Sequence, residues 1–129
     1  MLKPASADSK TSGMTEFKWQ WTSPLQAGQG FEVRVWRDGE PQAGVHNAVE
    51  DNKQGKVIAL GDNTYSLSVD ISQAAGVLGR GGDYLWAVVL VQVDPTYKDL
   101  GIQSSPGHLF LDLGGGGGDG GKDKPRPTL

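Results

Sequence analysis

A chain of 129 residues with 36% hydrophobic residues and four tryptophans has the material for one apolar core and no room for two ordinary ones. Its formal net charge is −3, and its twelve Lys and Arg are scattered rather than gathered in a stripe, which argues against nucleic acid as a partner because that binding needs a basic surface to neutralise phosphates. With no cysteine in the chain, disulfides, zinc thiolate sites and thiol catalysis are excluded together.

Taken in chain order, the segments alternate as strands do. A strand with one buried face repeats every two residues, whereas a helix repeats near 3.6. Met1 to Gly13 is polar. Phe17-Lys18-Trp19-Gln20-Trp21 sets three aromatics on one face, and Thr22-Ser23-Pro24 stops it. Phe31-Glu32-Val33-Arg34-Val35-Trp36 puts Phe31, Val33 and Val35 on one side and ends at the turn signal Asp38-Gly39-Glu40-Pro41. Ala43 to Lys56 mixes polar and small residues and reads as a short edge strand or an extended loop, with another short strand at Lys56 to Leu60. Gly61-Asp62-Asn63 turns the chain into Tyr65 to Ile71, the cleanest alternating segment, and Ser72 to Leu78 reads as a brief helical turn. Tyr84 to Val93 is apolar on both faces, as expected of a central strand. A loop holding Pro95, Gly101 and Pro106 leads to a last strand from His108 to Leu113. The longest apolar run, Leu85 to Val91, falls far short of the roughly 20 residues of a membrane span, so direct membrane insertion is not expected.

The fold class expected from this pattern is all-β, an antiparallel two-sheet sandwich of about seven strands spanning 1–113. Residues 114–129 hold seven of the chain's 20 glycines, followed by Lys124-Pro125-Arg126-Pro127, and read as a disordered linker or tail. The spaced glycines mimic other motifs only by necessity. Gly116 to Lys122 copies a phosphate loop, but Asp123 stands where Ser or Thr must hold magnesium and Pro125 replaces the required helix.

The order of landmark residues resembles a fibronectin type III domain over about residues 2 to 113. Trp21-Thr22-Ser23-Pro24 resembles the tryptophan and proline that close that family's second strand, and Phe31-Glu32-Val33 the opening of its third. Leu78 precedes Tyr84 by the family's six-residue spacing, and Gly101, Ser104 and Pro106 resemble the residues before its seventh strand. The connection from Asp38 to Asn63 is longer than the family's usual one. The pattern is also similar to immunoglobulin-like repeats in large bacterial extracytoplasmic proteins. The resemblance implies a tyrosine corner at Tyr84 and a structural core of Trp19, Trp21, Phe31, Val33, Leu78, Tyr84 and Trp86. It further implies a non-enzymatic spacer or docking module in a larger, surface-exposed protein, with neighbouring domains or another protein as partners and a monomer in isolation.

Catalysis needs converging groups, and the sequence offers few. His46 and His108 are the only histidines, and His46 with Glu50 has a zinc-like spacing only on a helix, for which this region shows no periodicity. Asp62, Asp70, Asp83, Asp94 and Asp99 could supply an acid and base pair for glycoside cleavage, but most sit in turn contexts where Asp bonds its own backbone. No catalytic residue, metal or cofactor is therefore expected. One surface stands out by parity: if Phe31, Val33 and Val35 point inward, then Arg34, Trp36, Leu85, Ala87, Val89 and Val91, joined by Phe110, point outward and form a candidate interaction face. Two alternatives follow from the same residues. Exposed Trp36 or Tyr97 would suit polysaccharide, or the N-terminal segment, the Ala43 to Leu60 region or a neighbouring domain would cover the face.

Overall fold

The computed structural model describes residues 2–7 and 10–112. The expected linker at 114–129 lies outside the described residues. One sheet joins β1 (Leu2–Ala7), β3 (Met14–Trp21), β7 (Thr64–Asp70) and β6 (Ile58–Gly61) in the order β1-β3-β7-β6. The other contains β2 (Lys10–Thr11), β10 (Gly107–Leu111), β8 (Gly82–Gln92), β4 (Gln29–Trp36) and β5 (Ala43–Gly44), in the order β2-β10-β8-β4-β5. A further strand, β9 (Lys98–Gln103), pairs with the second half of β8, while β10 pairs with its first half. All these pairings are antiparallel except β2 with β10.

The core lies between the sheets and is built from the alternation described above. Phe17, Trp19 and Trp21 enter it from β3, Phe31, Val33 and Val35 from β4, and Tyr84, Trp86 and Val88 from β8. Their rings meet tilted or edge-on: Phe17 and Trp86 at 5.0 Å between centroids, Trp19 and Phe31 at 5.4 Å. Such geometries add to burial because ring edges and faces carry opposite partial charge. The β6–β7 hairpin turns at Asp62 and Asn63, whose φ values of 52° and 60° are both positive, as a two-residue type I′ turn requires. Tyr84, near the start of β8, donates its hydroxyl to the Arg80 carbonyl, and the Arg37 guanidinium lies 5.4 Å from its ring centroid.

Four expectations need correction. Among the described residues there are ten strand segments rather than about seven, because β2 and β5 are two-residue pairings and β9 forms within the stretch before the last strand. The stretch around Gly101, expected as loop, contains β9; its bulge, with Gly101 at φ 78°, interrupts the alternation that would have marked it. The Ala43 to Lys56 stretch begins with a short edge strand, β5, as one reading had it, but also holds a helix, α1 (Ala48–Lys53), too short to display a 3.6-residue period. Leu78 is not a core residue. It is 67% exposed and adopts φ 51°, and this left-handed step turns it to solvent while Val77 takes the buried place.

Candidate interaction surface

The outward parity of the candidate face holds, but its exposure does not. In register, Glu32 stands opposite Val89, Arg34 opposite Ala87 and Trp36 opposite Leu85, with the side chains of all six on the face away from the core. Ala87, Val89 and Val91 are nevertheless fully buried, and Trp36 is 7% exposed against 8% for the core residue Trp21. The expected docking face therefore has no exposed apolar centre. Of its residues, Phe110 remains exposed and Leu85 partly so.

Two neighbours cover it. Arg34 reaches across β8 to β9: its Nε donates to Glu32 at 2.8 Å, one Nη donates to Asp99 at 2.9 Å, and the Tyr97 hydroxyl donates to Glu32 at 2.8 Å. Because β8 lies between β4 and β9, these long side chains roof the short Ala87 and Val89 beneath them. From the other side, Val49 of α1 packs against the cluster of Val89, Val91 and Val93.

The network is held by charge. Burial works against the Arg34 charge, but its bonds to Asp99, Glu32 and Tyr97 outweigh that and keep it above the ordinary arginine range. The Gly101 N–H and then Arg34 hold the Asp99 carboxyl below its ordinary 3.8, while burial and the bond to Glu32 push the Tyr97 hydroxyl up. A carboxylate with a depressed folded pKa binds fewer protons folded than unfolded. Its stabilisation is complete above the ordinary value and fades as pH falls through the folded one. Asp70, bonded by Ser72, and Glu40, paired with Arg80, shift the same way. Urea midpoints are expected to fall as pH drops below about 4, and Asp99→Asn should flatten that acid limb while lowering the plateau at neutral pH.

α1 closes the edge of β4 by an unusual route. Asn47 caps the helix by accepting the Glu50 N–H, and Glu50 and Asp51 place negative charge in its first turn. β5 pairs with β4 only at Arg34 and Val35, so the free edge farther back needs another partner. Asn52 supplies it. Its Oδ1 accepts from the Phe31 N–H at 3.0 Å and its Nδ2 donates to the Phe31 carbonyl at 2.8 Å, so one amide stands in for a neighbouring strand. The same Nδ2 donates to the Ala48 carbonyl at 2.7 Å, which fixes the rotamer. Gly30 permits the approach, since a Cβ there would lie 2.3 Å from Asn52 Oδ1.

The remaining chemistry-bearing residues do not converge. His46 Nδ1 lies 2.8 Å from Asp51 beside α1, while His108 lines a separate recess with Asp38 and Asp83. A cleft of about 340 Å³ at the other end of the sandwich is lined by Leu25, Val57, Ala59, Tyr65 and Val93, with Lys53 and Asp94 paired at 3.6 Å beside it. Among the described residues, no three His, Asp or Glu side chains are grouped to hold a metal, and no helix is long and apolar enough to cross a membrane. No protein-family model matches the chain, and no curated protein does. The surface has to be judged on its own geometry. Sequence reasoning missed Asn52 and Gly30, for which the only signal was a glycine near the start of an alternating strand.

Proposed function

We propose that this chain is a non-enzymatic β-sandwich module of the immunoglobulin-like or fibronectin type III kind, serving as a spacer and protein-interaction unit in a larger, surface-exposed protein. Strand order carries the reading. The order β1-β3-β7-β6 corresponds to the A-B-E-D sheet of immunoglobulin domains, and β10 and β9 with β8, β4 and β5 correspond to G-F-C-C′. The β6 strand at the edge of the first sheet favours the immunoglobulin-like form. Tyr84 bonded to the Arg80 carbonyl matches the tyrosine corner of such domains. In keeping with a scaffold, Arg34 bonds both Glu32 and Asp99, His46 bonds Asp51 and Arg80 bonds Glu40.

One observation favours a second reading, a carbohydrate-binding accessory domain. Tyr97 is exposed while its hydroxyl is anchored to Glu32, which presents a fixed ring to solvent. Trp36, the other aromatic considered for sugar stacking, is buried. Chemical-shift mapping against soluble xylan, dextran and chitin oligosaccharides separates the readings. The interaction module is expected to leave the Tyr97 ring and the Asp99 and Gln103 amides unmoved; a saturable shift there would replace it with the carbohydrate-binding one.

A further inference from the structure

Spontaneous backbone chemistry needs a carboxyl, a main-chain nitrogen within its reach and room for a ring to close. The connection from β4 to β5 brings the three together. Arg37 to Glu40 form a turn in which the Glu40 N–H donates to the Arg37 carbonyl at 2.9 Å. Gly39 has φ 85°, which at the third position of a turn closed in this way makes it type II, with Asp38 at the second. Both residues are exposed, and a Cβ on Gly39 would meet nothing within 4 Å. Among the described residues, neither the Asp38 carboxyl nor the Gly39 N–H is bonded to another group.

Other aspartates lack one requirement or another. Asp51 is buried beside His46, Asp70 is held by the Ser72 N–H, and Asp99 by the Gly101 N–H and Arg34. Asp94 precedes a proline, which has no N–H. Asp62, Asp83 and Asp112 precede residues whose side chains crowd the nitrogen, whereas Asp38-Gly39 is the only Asp-Gly step among the described residues.

We infer that Asp38-Gly39 is a self-modification site, at which the chain converts Asp38 to isoaspartate with water as the only reagent. The Gly39 nitrogen attacks Asp38 Cγ. A C–N bond forms, and the carboxyl hydroxyl leaves as water with the Gly39 amide proton. Water then opens the five-membered imide: attack at Cγ restores aspartate, whereas attack at the main-chain carbonyl leaves the chain running through Cβ and Cγ, one carbon longer. Ring closure requires the Asp38 carboxyl to swing onto the nitrogen, so it proceeds from the opened turn. Opening is resisted by the turn bond itself and by the Glu40 carboxylate, which Arg80 clamps with bonds of 2.9 and 3.0 Å. The lengthened backbone displaces Glu40 from Arg80, whose carbonyl accepts the Tyr84 hydroxyl, so the modification loosens the support of the tyrosine corner.

The test incubates the full chain in mildly acidic water enriched in oxygen-18, beside a synthetic peptide of residues Val35 to Gln42, and maps both by mass spectrometry. Acid favours the reaction because a protonated carboxyl sheds its hydroxyl more readily. Isoaspartate carrying a solvent oxygen is expected at Asp38 at a rate within about tenfold of the peptide's, since exposed turns open at little cost. Asp38→Glu, which demands a slower six-membered closure, should stop it, and Glu40→Gln should speed it about two- to fivefold by releasing an exposed ion pair. Both positions are exposed, so the variants are compared as folded chains. The converted fraction, separated by chromatography, should unfold at a lower urea midpoint. An Asp38 with no detectable isoaspartate when the peptide is half converted overturns the proposal, as does isoaspartate forming first at another of the described aspartates. A converted chain with the parent's urea midpoint overturns the link to Arg80.

Discussion

Trp19→Ala is expected to lower the free energy of unfolding by about 4 kcal/mol, enough to unfold much of the population of a marginally stable domain. Trp19 is fully buried, meets Phe31 edge-on and stacks at 6.4 Å on Tyr65, so truncation removes contacts on both sheets and leaves a cavity their backbones cannot close. Trp19→Phe should cost far less, about 1–2 kcal/mol, for a reason beyond size. The Trp19 Nε1–H is buried with no partner among the described residues, so phenylalanine removes an orphaned donor together with some packing. Urea denaturation followed by far-ultraviolet circular dichroism measures both. A loss for Trp19→Phe as large as that for Trp19→Ala would show that the indole nitrogen is satisfied after all.

The second large effect is a coupling. Asn52→Ala strands the N–H and carbonyl of Phe31 at a partly buried edge and should cost about 2–3 kcal/mol. Gly30→Ala drives a methyl into the Asn52 amide and should cost about 2 kcal/mol, because that amide is pinned by Phe31 and Ala48 and cannot swing aside freely. In the double variant the clash has nothing to meet. The combined loss should therefore fall short of the sum by about 1–2 kcal/mol, whereas strict additivity would mean that Gly30 is there for some reason unrelated to Asn52.

Where one face of a strand is buried and the other wet, its place in the fold was legible in the residues. Phe17 to Trp21, Phe31 to Trp36 and Tyr65 to Val69 alternate, and each became a strand whose alternate apolar side chains point inward, Trp36 alone of the large ones lying on the other face. β9 was not legible, because an edge strand with a glycine bulge is exposed on most positions and loses its period. α1 was hidden for a related reason: six residues span less than two turns and carry one large apolar side chain, Val49.

The candidate face was half legible. Parity put Arg34, Trp36, Ala87 and Val89 on one side, yet parity is blind to what lies above them. The cover comes from Asp99 and Tyr97, far downstream of Arg34 and Glu32, and from a helix that local composition concealed. Leu78 failed differently. The six-residue spacing to Tyr84 matched a family habit, but a left-handed step at that residue moved the buried role to Val77.

Because the Phe31 amide bonds a helix side chain rather than a neighbouring strand, its hydrogen exchange reports a separate event from opening of the sheets. Detachment of α1 would release that one proton while the amides bonded between β4 and β8 stay protected. All four tryptophans are buried and none belongs to α1, so their emission follows collapse of the whole sandwich and would pass over the helix lifting away.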